Sequence, residues 1–243
     1  LNNVNTSDVR TIILGTVAGV ANTAPQIISV STIAATDPTE NGMKTIHFNF
    51  TIQDTDGFGD INFSTITSAF NRSGETTRSN NTCTLLNTFS TNFANITCSI
   101  GMQYFDGAGV WGVNVTVKDN SSAYTVNDTT TFTYNELTAM VIAPTSLIWP
   151  SFGVTSTNTL SSNDPVVLNN TGNDNSTGVL ISVEGRNLIG ESDGSKTIFA
   201  GNFTVDDTDA CDAGPTMVNG TNVTITGAFL PSNSCFVRSS RIS

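Results

Sequence analysis

Positive charge is scarce in this 243-residue chain: nine lysines and arginines face twenty acids, for a formal net charge of −11, and His47 is the single histidine. Proteins that bind nucleic acid neutralise phosphates with clustered Lys and Arg, so nucleic acid is not an expected partner. The lack of histidine also starves acid–base chemistry. His47 alternates with Ile46 and Phe48 and falls on the outward side of a strand, and no nucleophile-elbow motif accompanies it. No enzymatic activity and no catalytic residue are expected.

Long apolar runs are missing too. No stretch approaches the ~18 consecutive apolar residues of a membrane-crossing helix, so no membrane-spanning segment is predicted. The sequence opens on Leu1 with no export-signal pattern at that end, and the expectation is a processed mature chain or a fragment. Charged residues are only 12% of the chain, so solubility must rest on hydroxyls, amides and glycans.

Cysteines are few: Cys83, Cys98, Cys211 and Cys235. Four allow three connectivities. We favour Cys83 with Cys98 and Cys211 with Cys235, because each bridge then stays within one half of the chain. Neither pair has the tight spacing of zinc or redox motifs. An even cysteine count points to an oxidising, extracellular compartment.

What the chain has in abundance is the Asn-x-Ser/Thr sequon, fourteen times over: Asn5, Asn49, Asn62, Asn71, Asn80, Asn95, Asn114, Asn120, Asn127, Asn169, Asn175, Asn202, Asn219 and Asn222. That exceeds what shuffling this composition gives, and it implies N-linked glycans on a cell-surface protein.

Wherever a hydrophobic period is readable it is two residues. Ile46, Phe48, Phe50 and Ile52 alternate with Thr45, His47, Asn49 and Thr51. The pattern recurs with Ile96, Cys98 and Ile100, with Trp111, Val113, Val115 and Val117, with Phe203 and Val205, and with Val223 and Ile225. Short alternating strands between Gly, Asn, Asp and Ser clusters predict an all-β fold of antiparallel sandwiches. Successive strand side chains point to opposite faces, so Asn49, Asn95, Asn114, Asn202 and Asn222 should face solvent. By the same parity Cys83 falls with Leu85, and Trp111 falls in a core.

Four segments follow: an N-terminal extension over 1–23, a first sandwich over 24–136, a proline-bounded connector over 137–150, and a second sandwich over 151–243. The polar stretch from Asn169 to Thr177 reads as a loop. Trp149, beside Pro150, is a candidate lock for the connector.

The phrase Asn22-Thr23-Ala24-Pro25-Gln26-Ile27, followed by an alternating strand and then Asp54-Thr55-Asp56-Gly57-Phe58-Gly59-Asp60-Ile61, resembles immunoglobulin-like and PKD-like modules of secreted archaeal and bacterial surface proteins. Val166 to Asn173 is similar to a strand-and-turn phrase of such sandwiches. The resemblance implies tandem immunoglobulin-like domains. It also implies that Thr11 to Val20 stands where a previous module's last strand would lie.

That run, with Ile12, Ile13, Leu14, Val17 and Val20, would be an aggregation hazard if left bare. It can pack on its own domain, be the remnant of a longer chain, or complete a neighbouring subunit's sheet. The last is β-strand addition, and a head-to-tail donor and acceptor make a polymer of identical subunits.

Asp54, Asp56 and Asp60 form an Asp-x-Asp-Gly-x-Gly-Asp loop that could wrap oxygen ligands around Ca²⁺, with Ser64 and Thr65 nearby. The alternative is a solvated turn whose carboxylates cap backbone amides, the commoner use of such residues. Asp206, Asp207, Asp209 and Asp212 form a second acidic cluster. The aromatics Tyr104 and Phe105 beside the turn at Asp106 offer a surface for sugar rings. The sequence therefore reads as a glycosylated extracellular filament or pilus-like subunit that polymerises by strand donation. An S-layer lattice protein and an adhesin or carbohydrate-binding module are the alternatives.

Overall fold

Strands β2 (Met43–Gln53) and β6 (Phe93–Gln103) pair antiparallel from end to end, Met43 opposite Gln103 and Gln53 opposite Phe93. Both bury every second residue: Ile46, Phe48, Phe50 and Ile52 on one, Ala94, Ile96, Cys98 and Ile100 on the other. The computed structural model describes residues 21–80, 82–151, 153, 161–163, 166–174, 181–206, 216–225 and 234–239. Among them the secondary structure is antiparallel strand with three single-turn 3-10 segments and no α-helix.

Strand β1 (Gln26–Val30) adds to the outer side of β2, and β5 (Thr84–Phe89) to the outer side of β6, which completes a four-stranded sheet. The second sheet runs β4 (Arg78–Asn80), β3 (Thr67–Asn71), β7 (Gly109–Lys118) and β8 (Tyr124–Tyr134). The two sheets share one core. Phe48 of the first meets Phe70 of the second at 5.7 Å between ring centroids, and Phe70 meets Phe132 at 4.6 Å. Trp111 is fully buried with its indole N–H donating to the Gly107 carbonyl at 3.0 Å. Burial of each such side chain stabilises the fold by about 1.5–3 kcal/mol.

Cys83 lies between β4 of one sheet and β5 of the other, and a disulfide joins it to the buried Cys98. The bridge staples the place where the chain changes sheets. With the cysteines 15 positions apart, it is worth about 3 kcal/mol in loop entropy. The expected parity of Cys83 with Leu85 does not hold, because β5 is an edge strand exposed along its whole length, with a bulge between Leu85 and Asn87.

The second half is built differently. Strands β9 (Met140–Ala143) and β10 (Val166–Asn170) pair antiparallel, and β16 (Ser234–Ser239) lies on the other side of β10 with β14 (Val205–Asp206) beyond it. Two short ladders accompany this sheet: β11 (Ile181–Glu184) with β15 (Asn222–Ile225), and β12 (Leu188–Ile189) with β13 (Thr197–Ile198). The segment read as a connector thus contributes a strand. Of the alternating pair Phe203 and Val205, only Val205 lies in a strand, because a 3-10 turn at Ala200–Asn202 runs up to Phe203. A small core gathers Val166, Leu168, Phe203, Val205 and Met217, and Trp149 meets Phe203 at 5.5 Å.

The polar stretch after β10 joins the two halves. Asn170, Thr171 and Asn173 are buried, and Asn173 donates from Nδ2 to the carbonyls of Asp106 and Asn135 while accepting the Leu137 N–H. Thr171 donates its hydroxyl to Glu40 and accepts the Asn41 N–H at its carbonyl. The backbones press so close that a Cβ at Gly172 would sit 1.9 Å from the Leu137 oxygen. A polar sequence is buried here because every amide finds a partner.

Asp106 anchors that junction and is itself buried. Arg78 donates to it through Nε, at 3.0 Å to each oxygen, and through Nη2, and the Gln103 N–H donates at 2.6 Å. Arg78 also lies over the Phe105 ring at 5.5 Å. Removing one partner of a buried pair strands the other charge. Arg78→Met should therefore destabilise the protein by about 3 kcal/mol in denaturant melts. Adding Asp106→Asn should recover part of that loss.

Candidate functional site

Three features outside the packed core merit a functional reading, and the most ordered is the acidic end of the first sandwich. The chain leaves β2 at Asp54, which turns back through a Gly57 N–H to Asp54 carbonyl bond of 3.1 Å, with Gly57 at φ 109° where a side chain would be strained. The 3-10 turn at Phe58–Asp60 follows. Asp119 arrives from the end of β7, where it bridges to Ile61. One oxygen from each of Asp54, Asp60 and Asp119 then lies within 4.8 Å of the others, an arrangement able to hold a metal ion.

Asp54 is fully buried. Its Oδ1 accepts the Asp56 N–H at 2.9 Å, but its Oδ2 has no hydrogen-bond partner. Burial raises its pKa above the ordinary value. The Asp56 N–H opposes the rise, and the negative charges of Asp60, Asp56 and Asp119 add to it. Asp119 is buried as well, with Oδ1 accepting the Ala123 N–H and Oδ2 accepting the Asn22 amide, both at 2.8 Å.

The metal set read from the sequence, Asp54, Asp56 and Asp60, is therefore brought together only in part. Asp56 is not in the cluster; it accepts the Thr23 N–H at 2.7 Å. Asp119 replaces it, and nothing in the local spacing signals a residue 65 positions beyond Asp54. Ser64 and Thr65 donate to Asn62 instead.

The second feature is an apolar cavity of about 620 Å³ in the second half, walled by Met140, Ile142, Leu147, Trp149, Phe203 and Met217 among others. Among the described residues the Trp149 indole N–H is buried there without a partner, strand β9 forms the edge of its sheet, and Met140, Val141 and Ile142 are all exposed. In the second cluster, Asp206 ends β14, while Asp207, Asp209 and Asp212 lie outside the described residues.

The third is the sequon-bearing surface. Asn49, Asn71, Asn120, Asn219 and Asn222 are exposed, and Asn62, Asn80, Asn95, Asn114, Asn127, Asn169 and Asn202 are half-buried, so no described acceptor is buried. Asn202 reaches the surface from a 3-10 turn and not, as its parity with Phe203 suggested, from a strand. Asn5, Asn175, Cys211 and the run with Ile12, Ile13, Leu14, Val17 and Val20 lie outside the described residues. Cys235 sits in β16 opposite Leu168. His47 is exposed, and Tyr104 and Phe105 pack edge to face.

No family model, curated protein or solved structure matches this chain.

A raised pKa in the folded state means that ionising Asp54 costs stability, a cost absent below the ordinary carboxylate range and incurred as pH rises through and above it. In chelator at neutral pH, Asp54→Asn should stabilise the protein by on the order of 1 kcal/mol, the scale of relieving one unsatisfied buried group. Thermal melts across pH should show that gain vanishing toward acid.

Proposed function

We propose that the chain is a structural subunit of a glycosylated extracellular filament or pilus-like thread, in which two immunoglobulin-like sandwiches are joined in tandem and residues 11–20 of one copy complete the second sandwich of the next. The observation that carries this reading is the contrast between the two halves. The first closes its core between two four-stranded sheets. Among its described residues the second has an apolar cavity whose lining includes Trp149, with its orphaned indole donor, and Met140 and Ile142 of the exposed edge strand β9.

Met140 and Ile142 line the cavity and also lie on the edge strand β9. A strand added beside β9 would bond its backbone to β9 and drop alternate side chains into the cavity. As a strand, the run from Thr11 to Val20 would place Ile12, Leu14, Ala18 and Val20 on one face and Ile13 and Val17 on the other by sequence parity. Ten residues span more than β9 needs, and no sequon interrupts them. Donor and acceptor are different segments of the chain, so the contact is heterologous and propagates head to tail unless rotation closes it. The disulfide and the unburied sequon asparagines support an extracellular glycoprotein with sugars on its outer strand faces.

Electron microscopy of the purified full chain should show threads. Deleting residues 11–20 should leave a folded monomer that still caps the growing end, and Ile142→Asp should leave one that still donates. Threads that persist in either variant would remove strand donation. A flat sheet that dissolves in chelator would favour an S-layer lattice.

A further inference from the structure

We propose that Asp54, Asp60 and Asp119 bind a calcium ion that clamps the chain entering the first sandwich onto its end. The three carboxylates come from three separate places: the end of β2, the 3-10 turn at Phe58–Asp60, and the residue after β7. Chain topology alone does not require three like charges to converge within 4.8 Å, and without a counter-charge the arrangement is costly. Among the described residues no Lys or Arg forms a salt bridge with any of them.

The second observation is the buried Oδ2 of Asp54. Buried polar atoms are almost always satisfied, and a carboxylate oxygen left bare on a residue of an acidic cluster is an atom a cation would claim. The donors are all carboxylate oxygens, with no histidine or cysteine in the cluster, which selects a hard cation over zinc or copper. Calcium suits it better than magnesium. Asp60 is half-buried, so that side is open to the waters and carbonyls that complete a flexible shell of six to eight oxygens.

The same residues hold the incoming chain. Asp119 accepts the Asn22 side-chain amide, and Asp56, two residues from Asp54, accepts the Thr23 backbone N–H. A cation that fixes Asp119 and the Asp54–Asp60 loop therefore fixes the acceptors on which Asn22 and Thr23 rest. The entering segment is stiff when the cation is bound and looser when it is removed. This clamp does not depend on strand donation, because every group in it belongs to one subunit.

The test uses the full chain at low concentration, freed of metal with chelator and titrated with CaCl₂. The thermal midpoint should rise by several degrees and saturate at roughly 10⁻⁴–10⁻³ M, the range of extracellular calcium modules. Asp54→Asn and Asp119→Asn should abolish the rise, whereas Asp56→Asn should keep it. Hydrogen exchange at Thr23 should slow on calcium addition in the parent chain and not in Asp119→Asn. If Asp54→Asn fails to fold, Asp60→Asn at the open side replaces it. No calcium-dependent shift up to about ten times that range, or an equal shift in Asp119→Asn, would overturn the site. A shift without slower exchange at Thr23 would overturn the clamp.

Discussion

Each long strand of this protein has one apolar face, and the first sandwich exists because those faces have no better place to go than against one another. The pairing of β2 with β6 sets the register for that whole half. It aligns Phe48 with Cys98 and Phe50 with Ile96, brings Cys98 to the disulfide, and turns His47, Asn49 and Asn95 away from the core. A slip of one residue would reverse every one of these assignments, so the buried face specifies the surface as firmly as it specifies the interior.

Buried polar groups then divide into two kinds. Asp106 and Asn173 are saturated: a guanidinium, backbone amides and carbonyls use their bonding capacity, and together they tie the two halves of the chain. Asp54 Oδ2 and the Trp149 indole N–H are bare. One is an acceptor among carboxylates at the entrance to the first sandwich, and the other is a donor in the apolar cavity of the second half. Each lacks a partner of a definite chemical type, a cation in the first case and a carbonyl in the second.

Much of the strand architecture was legible because period-two alternation is a local property. Ile46 to Ile52, Ile96 to Ile100 and Trp111 to Val117 are strands with the expected inward residues. Legibility failed where a neighbour overrode the local pattern. Leu85 is apolar yet exposed, because β5 is an edge strand with a bulge. The segment from Asn170 to Asn173 is polar yet buried, because Glu40, Asp106 and Asn135 satisfy its amides and hydroxyl. Met140 to Ala143 looked like linker and became a strand once β10 offered it a partner.

By itself the sequence determined the all-β class, the three long alternating strands around Ile46, Ile96 and Trp111, the outward direction of Asn49, Asn95 and Asn114, and the acidic loop around Asp54. All of these follow from the chemistry of residues one or two positions apart. Only the tertiary structure decided that Asp119 and not Asp56 joins that loop's cluster, that Asn173 bridges the halves, and that a cavity lies beside β9. Those depend on which distant strands become neighbours, and that is set by the packing of two sheets and not by any spacing along the chain.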